Sequence, residues 1–260
     1  MAVNQLQRLR LLCILKAMFL EVENLSFSID GKTILSDITF SSGKGTTTLI
    51  AGMNGSGKSM LLKCLKGLEK PSSGTIRLDG RELRRRKDRM KAFALVFQDT
   101  SLEIVGSTVE KDIAFGPENL GWDRQAISAK VDLMLELFSL TGHRDVRPQV
   151  LSGGEARKLA IAGVLAMEPE VLLLDEPFAN LDYPSTLKVI QTLDKLHEEG
   201  ATILIVSHEA EKFLRHTDFT IILEKGRVAE HGRSRDMLPK LPEHNIYVPR
   251  DAVFEEMSWL

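Results

Sequence analysis

The sequence predicts an α/β fold: a mostly parallel central sheet, an N-terminal antiparallel β region and an inserted α-helical subdomain. Three observations carry this. Short apolar runs alternate with helix-spaced segments, the pattern of a parallel sheet covered on both faces. A β-branched run, Thr47–Ala51, ends at a glycine and leads directly into a helix at Lys58. A wholly apolar strand, Val171–Leu174, ends in two carboxylates, Asp175 and Glu176. A strand buried on both faces presents its C-terminal end to ligands.

Phe19–Ile29 alternates and turns at Asp30-Gly31, which predicts a hairpin with Thr33–Phe40 as the return strand. Leu61, Leu62 and Leu65 share one face of a helix over Lys58–Leu68, with Gly67 at its end. Thr75–Leu78, closed by Asp79-Gly80, and Phe93–Phe97 read as strands. From Gln98 to about Leu151 the pattern is helical, with Ser107-Thr108-Val109-Glu110 as a capping box and Asp123–Leu140 as a long amphipathic segment. A helix follows Ser152 to Met167, and another spans Pro184–Glu199 with proline near its start. Ile203–Val206, Phe219–Leu223 and Arg227–Glu230 complete the strands. The expected organisation is an appendage at 1–17, a core domain at 18–232 with its helical subdomain at about 98–168, and a C-terminal extension at 233–260.

Composition sets the bounds. The 260 residues are enough for a full core, and 43% hydrophobic with 27% charged residues is soluble globular composition. A net charge of −2 gives no overall field favouring nucleic acid. Cys13 and Cys64 make neither a disulfide framework nor a zinc motif, which fits a reducing, cytoplasmic setting. Leu6–Leu20 is too short and too charged to span a bilayer, since Arg8, Arg10 and Lys16 interrupt it. It reads as an overlong start or as a short surface or membrane-interface helix. Arg84-Arg85-Arg86-Lys87 reads as a solvated surface segment or as an attraction to an anionic leaflet, and no aromatic interleaving suggests nucleic acid.

Gly52-Met53-Asn54-Gly55-Ser56-Gly57-Lys58-Ser59 fits the G-x-x-x-x-G-K-[ST] phosphate loop in its strand-to-helix context. Glycines let backbone N–H groups approach phosphate oxygens, and the helix N-terminus favours anions. Lys58 is expected on the β- and γ-phosphates and the Ser59 hydroxyl on Mg²⁺. Met60 stands where a second hydroxyl is common, so that contact to the α-phosphate is absent. Asp175 fits a Mg²⁺ partner and Glu176 a general base for the attacking water. Ser152, in Leu151-Ser152-Gly153-Gly154-Glu155, is an N-cap candidate whose following glycines expose helix N–H groups.

Together with Gln98 and His208, these segments resemble the ATP-binding cassette (ABC) family of P-loop ATPases, in the right order from Phe19 to about Gly232. The resemblance implies MgATP binding and hydrolysis. It makes Gln98 a contact of Mg²⁺ or the attacking water, His208 a contact of the γ-phosphate, and Asn180-Leu181-Asp182 a segment crossing a dimer interface. Ser152, Gly153 and Gly154 would meet the ATP of the opposite subunit, so two chains sandwich two nucleotides. The family's adenine-stacking aromatic is replaced by Ile29, a weaker apolar platform; Phe27, two residues earlier, is expected on the same side of the strand.

The stretch from Ile104 to Gly121, with Ala160–Ala166, is similar to the energy-coupling factor (ECF) ATPases, including the cobalt- and nickel-type importers. Thr100, Ser101, Leu102 and Glu103 depart from that branch. The resemblance implies a peripheral subunit on the cytoplasmic face of a membrane. Its implied partners are a transmembrane coupling subunit, a substrate-binding membrane subunit for a vitamin or transition-metal ion, and a second ATPase subunit, identical or related. Glu103 reads either as the partner of a basic residue on the coupling subunit or as a solvated helix residue. The alternatives are another class of ABC transporter ATPase or a soluble ABC protein acting on DNA or ribosomes. The tail Leu241–Leu260 lacks a period and reads as an irregular extension, packed on the domain or used in dimer contact.

Overall fold

The computed structural model describes residues 18–99 and 103–260. The expectation for residues 1–17 and the departures at Thr100, Ser101 and Leu102 lie outside them. Two sheets organise the fold. The first is antiparallel and four-stranded, ordered β2 (Lys32–Gly43), β1 (Met18–Ile29), β4 (Ser73–Leu78), β5 (Arg81–Glu82). Its β1–β2 turn has Asp30 at φ 48° and Gly31 at φ 76°, the paired positive dihedrals that match a hairpin to strand twist.

The second sheet has six strands in the order β10 (Arg227–Arg233), β9 (Phe219–Glu224), β3 (Thr47–Ala51), β8 (Ile203–Ser207), β7 (Val171–Asp175), β6 (Phe93–Val96). Every neighbouring pair is parallel except β9 with β10. Successive residues of the parallel strands enter different cores. Leu49, Leu172, Leu174, Ile203 and Ile205 join one apolar cluster, and Ile50, Leu173, Leu204 and Val206 join the other. One face is covered by the antiparallel sheet and α1 (Lys58–Lys66). The other is covered by α3 (Val109–Asn119), α4 (Arg124–Leu137), α5 (Gly153–Leu165) and α6 (Tyr183–Glu198). Helices α3, α4 and α5 lie between β6 and β7 in sequence and pack on one another.

Several expectations change. The stretch from Gln98 to Leu151 is not continuously helical: α3 and α4 are separate, and two 3₁₀ turns at Thr141–His143 and Pro148–Val150 lead into α5. The cap of α3 is Thr108, whose hydroxyl accepts from Lys111 N, one residue beyond the expected Ser107. The basic segment forms a short helix, α2 (Arg86–Ala92). Arg84 and Arg85 ahead of it and Arg86 and Lys87 in its first turn are exposed, while Arg89 is buried over the C-terminus of α1. A last short helix, α7 (Ser234–Met237), precedes 3₁₀ turns at Leu238–His244 and Phe254–Glu256. Leu241, Ile246 and Met257 of this tail are buried in the same core as α5 and α6, so it packs on the domain.

Candidate functional site

Strand order builds the site. β3, β8, β7 and β6 run parallel and adjacent, so their C-terminal ends place Gly52, His208, Glu176 and the Phe97-Gln98 segment along one edge. A groove of about 500 Å³ there is lined by Asn54, Gly55, Gly57, Lys58, Ser59, Gln98, Glu176 and His208, with Ile34 and Met60.

The loop after β3 requires its glycines. A Cβ on Gly52 (φ 154°) would stand 2.3 Å from Leu223 O, and Gly57 (φ 104°) is the left-handed N-cap of α1. Lys58 is buried, and its ammonium donates to Gly52 O at 2.7 Å and Met53 O at 3.0 Å. Burial lowers its pKa, opposed by the charges of Glu176 and Asp175. The Ser59 hydroxyl donates to Asp175 Oδ1 at 3.0 Å. Burial raises the Asp175 pKa, and the bond from Ser59 pulls it down.

Glu176 lies at φ 48°, an uncommon dihedral for a side chain of this size, and its N–H donates to Val206 O. Its carboxylate is buried. Oε1 lies 2.9 Å from His208 Nδ1, and Oε2 has no partner. Buried polar atoms without partners are rare, so an unpaired carboxylate oxygen lining a groove marks a place for a polar ligand. His208 is about half exposed, at 45% for its side chain.

The serine-glycine segment is built differently. Ser152 caps α5: its Oγ accepts from Glu155 N, and Glu155 Oε2 accepts from Ser152 N. This is the reciprocal capping box. Ser152 and Gly153 are exposed, while Gly154 is buried against α6, where a Cβ would come within 2.8 Å of Ser185 Cβ. Asp182 caps α6 by accepting from Ser185 N at 3.0 Å. Gly153, Asn180 and Leu181 line a second groove of about 370 Å³ with Gln98 and Arg157. Gln98 is the only described residue common to the two grooves. Ser152, Gly154, Asp182, Met53, Gly52, Ser56 and Ile29 line neither.

The sequence missed three features. Arg157, buried in α5, donates to Phe97 O and Gln98 O at 2.6 Å each and so fixes the glutamine segment. Its only sequence signal is its place one turn inside α5, two residues after the box glutamate. Glu103 is not a solvated helix residue: it accepts from Phe97 N, and its Oε2 is buried without a partner. Phe27 is buried in the core, while Ile29 is 49% exposed. Shifts in the β1–β2 register around Phe27 and Ser28 break the simple alternation, so Phe27 is not available as a second base platform.

The family model for the ABC transporter matches residues 35–179, which include the phosphate loop, the Ser152 segment and both carboxylates. The chain belongs to the ABC transporter family. It is 37% identical over 215 residues to the "Energy-coupling factor transporter ATP-binding protein EcfA" of Carboxydothermus hydrogenoformans, covering 82% of this chain and 80% of that one. A Methanococcus maripaludis protein of the same name is 33% identical over 246 residues, covering 92% and 88%. Among solved structures, cbiO1 of Clostridium perfringens, described as part of the ABC transporter complex cbiONQ, has a TM-score of 0.80 at 32% identity. That match covers 90% of this chain and 97% of the other. A nucleotide-free cassette at 23% identity and TM-score 0.79 shares the fold. This ABC chain is accordingly a nucleotide-binding, ATP-hydrolysing transporter subunit of α/β fold. Among its described residues no helix is long and apolar enough to cross a membrane.

Proposed function

We propose that the chain energises an ECF-type importer as a peripheral ATPase on the cytoplasmic face, paired with a second ATPase subunit and with separate membrane subunits. The observation that carries the reading is the paired construction just described. One groove joins Lys58, Ser59, Glu176 and His208, while the exposed Gly153, next to the Ser152 cap, lines a different groove. The ECF names of relatives at 33–37% identity support the branch. The cargo by that resemblance is a vitamin or a transition-metal ion.

The loop Gly52–Ser59 binds the phosphates, with its N–H groups and Lys58 as donors. To reach them Lys58 exchanges the Gly52 and Met53 carbonyls for phosphate oxygens. Ser59 and Asp175, already hydrogen-bonded, form a hydroxyl-carboxylate donor pair that fits Mg²⁺, with Gln98 nearby in the groove. Phosphate and water oxygens would supply the ion's remaining ligands. The ion, when bound, neutralises phosphate charge.

Glu176 orients the attacking water and takes its proton through the unpartnered Oε2; His208, bonded to Oε1, holds the carboxylate in place. Ile29 offers an exposed apolar surface to the base. The Ser152, Gly153 and Gly154 segment closes on ATP held by the partner subunit, and Asp182 sits at that interface. The rim residues Val105, Phe115 and Leu120 of a 230 Å³ cavity between α3 and α5 are exposed apolar side chains, suited to a helix of the membrane subunit. Glu103 Oε2 in that cavity remains free for a basic residue.

The test is Glu176→Gln. Turnover of MgATP should fall at least ~100-fold, the range for loss of a general base, while ATP binding persists and an ATP-bound dimer accumulates. Unchanged steady-state hydrolysis removes Glu176 from that role.

A further inference from the structure

The C-terminal tail touches both segments that flank the catalytic carboxylate. Tyr183 follows Asp182 and opens α6. Its ring lies 5.4 Å from that of Trp259 at 46°, and its hydroxyl donates to Trp259 O at 3.3 Å. The other side of Trp259 belongs to the segment after His208. Lys212 Nζ stands 4.4 Å from the Trp259 ring centroid, and Trp259 N–H donates to Lys212 O at 3.2 Å. Lys212 is buried and pairs with Glu209 at 2.6 Å, and Glu209 adjoins His208. A buried ammonium satisfied by one carboxylate and one indole face is held tightly, because both interactions gain strength away from water.

These contacts close a ring. Glu176 runs covalently to Asp182 and Tyr183. Tyr183 meets Trp259, Trp259 meets Lys212, Lys212 meets Glu209, and His208 returns to Glu176 at 2.9 Å. The tail is anchored separately. Arg215 N donates to Met257 O, and the His216 ring bridges Ser258 Oγ at 2.6 Å and Asp194 Oδ1 of α6 at 2.8 Å. Trp259 is thus held in place from outside the ring it completes.

We propose that Trp259 is a positioning residue for ATP hydrolysis, holding the His208 segment and the Asp182 segment as one unit so that the Glu176–His208 pair keeps its geometry. It touches no reacting atom, and its effect passes through Tyr183 and Lys212. The proposal rests on the ATPase assignment and adds that the tail sets the rate of the chemical step rather than nucleotide affinity. Removing the indole deletes the ring contacts that join Lys212 to Tyr183, leaving the His208 segment tied to α6 farther away through His216 and Asp194, and small misplacements of a catalytic pair are costly in rate.

The experiment compares steady-state hydrolysis by the full chain and by Trp259→Ala, Trp259→Phe and Tyr247→Ala. Tyr247 is an exposed tail residue outside the ring. Trp259→Ala should lower kcat roughly tenfold with KM for ATP within about twofold. Trp259→Phe keeps an aromatic face for Lys212 and Tyr183 and should recover most of kcat, while Tyr247→Ala should match the parent. An unchanged kcat in Trp259→Ala, or a loss that follows the folded fraction and is not recovered by phenylalanine, overturns the proposal. Should Trp259→Ala fail to fold, Tyr183→Leu breaks the same link from an exposed position; a lowered kcat with KM retained supports the ring, and an unchanged kcat overturns it. Turnover by the unsubstituted chain in the same assay tests the ATPase assignment on its own.

Discussion

Glu176 brings together what single residues contribute. Its left-handed backbone, its bond to His208 and its free Oε2 concern the same few atoms, and a backbone bond to Val206 holds them at the sheet edge. That carboxylate was legible from sequence because a wholly apolar strand ending in Asp175-Glu176 fixes its own depth. The base end of the site was legible only in part. Ile29 follows from counting along β1, but the burial of Phe27 follows from a register shift that no alternation pattern reveals. Ile29 is half exposed, so Ile29→Tyr should tighten ATP binding several-fold, about 1 kcal/mol for an added aromatic stack. Calorimetric titration with ATP checks this, and an affinity no higher than the parent's means that the base does not rest there.

Among elements, α5 and the segment before α3 show how capping and burial set function. The Ser152–Glu155 box was readable because both partners are local, three residues apart. Ser152→Ala should cost about 1 kcal/mol of folding stability in the absence of nucleotide, measurable by urea denaturation. A loss confined to the nucleotide-bound state would assign Ser152 to ligand contact alone. Glu103 was not readable, because its burial depends on α3 and α5 closing over it. Burial pushes its carboxyl from 4.5 up to about 7. Between those pH values the native state binds more protons than the unfolded chain, so stability falls as pH rises through the window. The ceiling is about 3 kcal/mol at 1.36 kcal/mol per unit. Glu103→Gln should flatten the difference in urea midpoint between pH 5 and pH 8, and parallel profiles for the two proteins would refute the assignment. Helix α2 escaped notice for a related reason: seven residues, mostly basic, give too short a window for periodicity, and Arg89 is buried only because Gly67 leaves room above it.

At the level of the whole molecule, the parallel sheet does most of the organising. Its strand order was not in the sequence, but alternation of strands and helices implied parallel neighbours, and the six-stranded sheet places four sequence-distant segments on one edge. The tail had no sequence pattern at all, because its role arises from contacts with α6 and with the segment after His208. Two grooves that meet at Gln98 suit a molecule that binds ATP in one and covers a partner's ATP beside the other.

That arrangement is tested most directly by disulfide trapping between two differently labelled chains. Asn54 and Ser152 are both exposed. One chain would carry Asn54→Cys and the other Ser152→Cys, both with Glu176→Gln and Cys13→Ser. Cys64 can remain, because it is fully buried and burial raises its thiol to about 12. A cross-linked pair that forms in the mixture, requires MgATP and is absent from either chain alone is the expected result. Failure of the mixture to cross-link with MgATP, with efficient disulfide closure instead inside a single chain carrying both cysteines, would contradict the two-chain clamp.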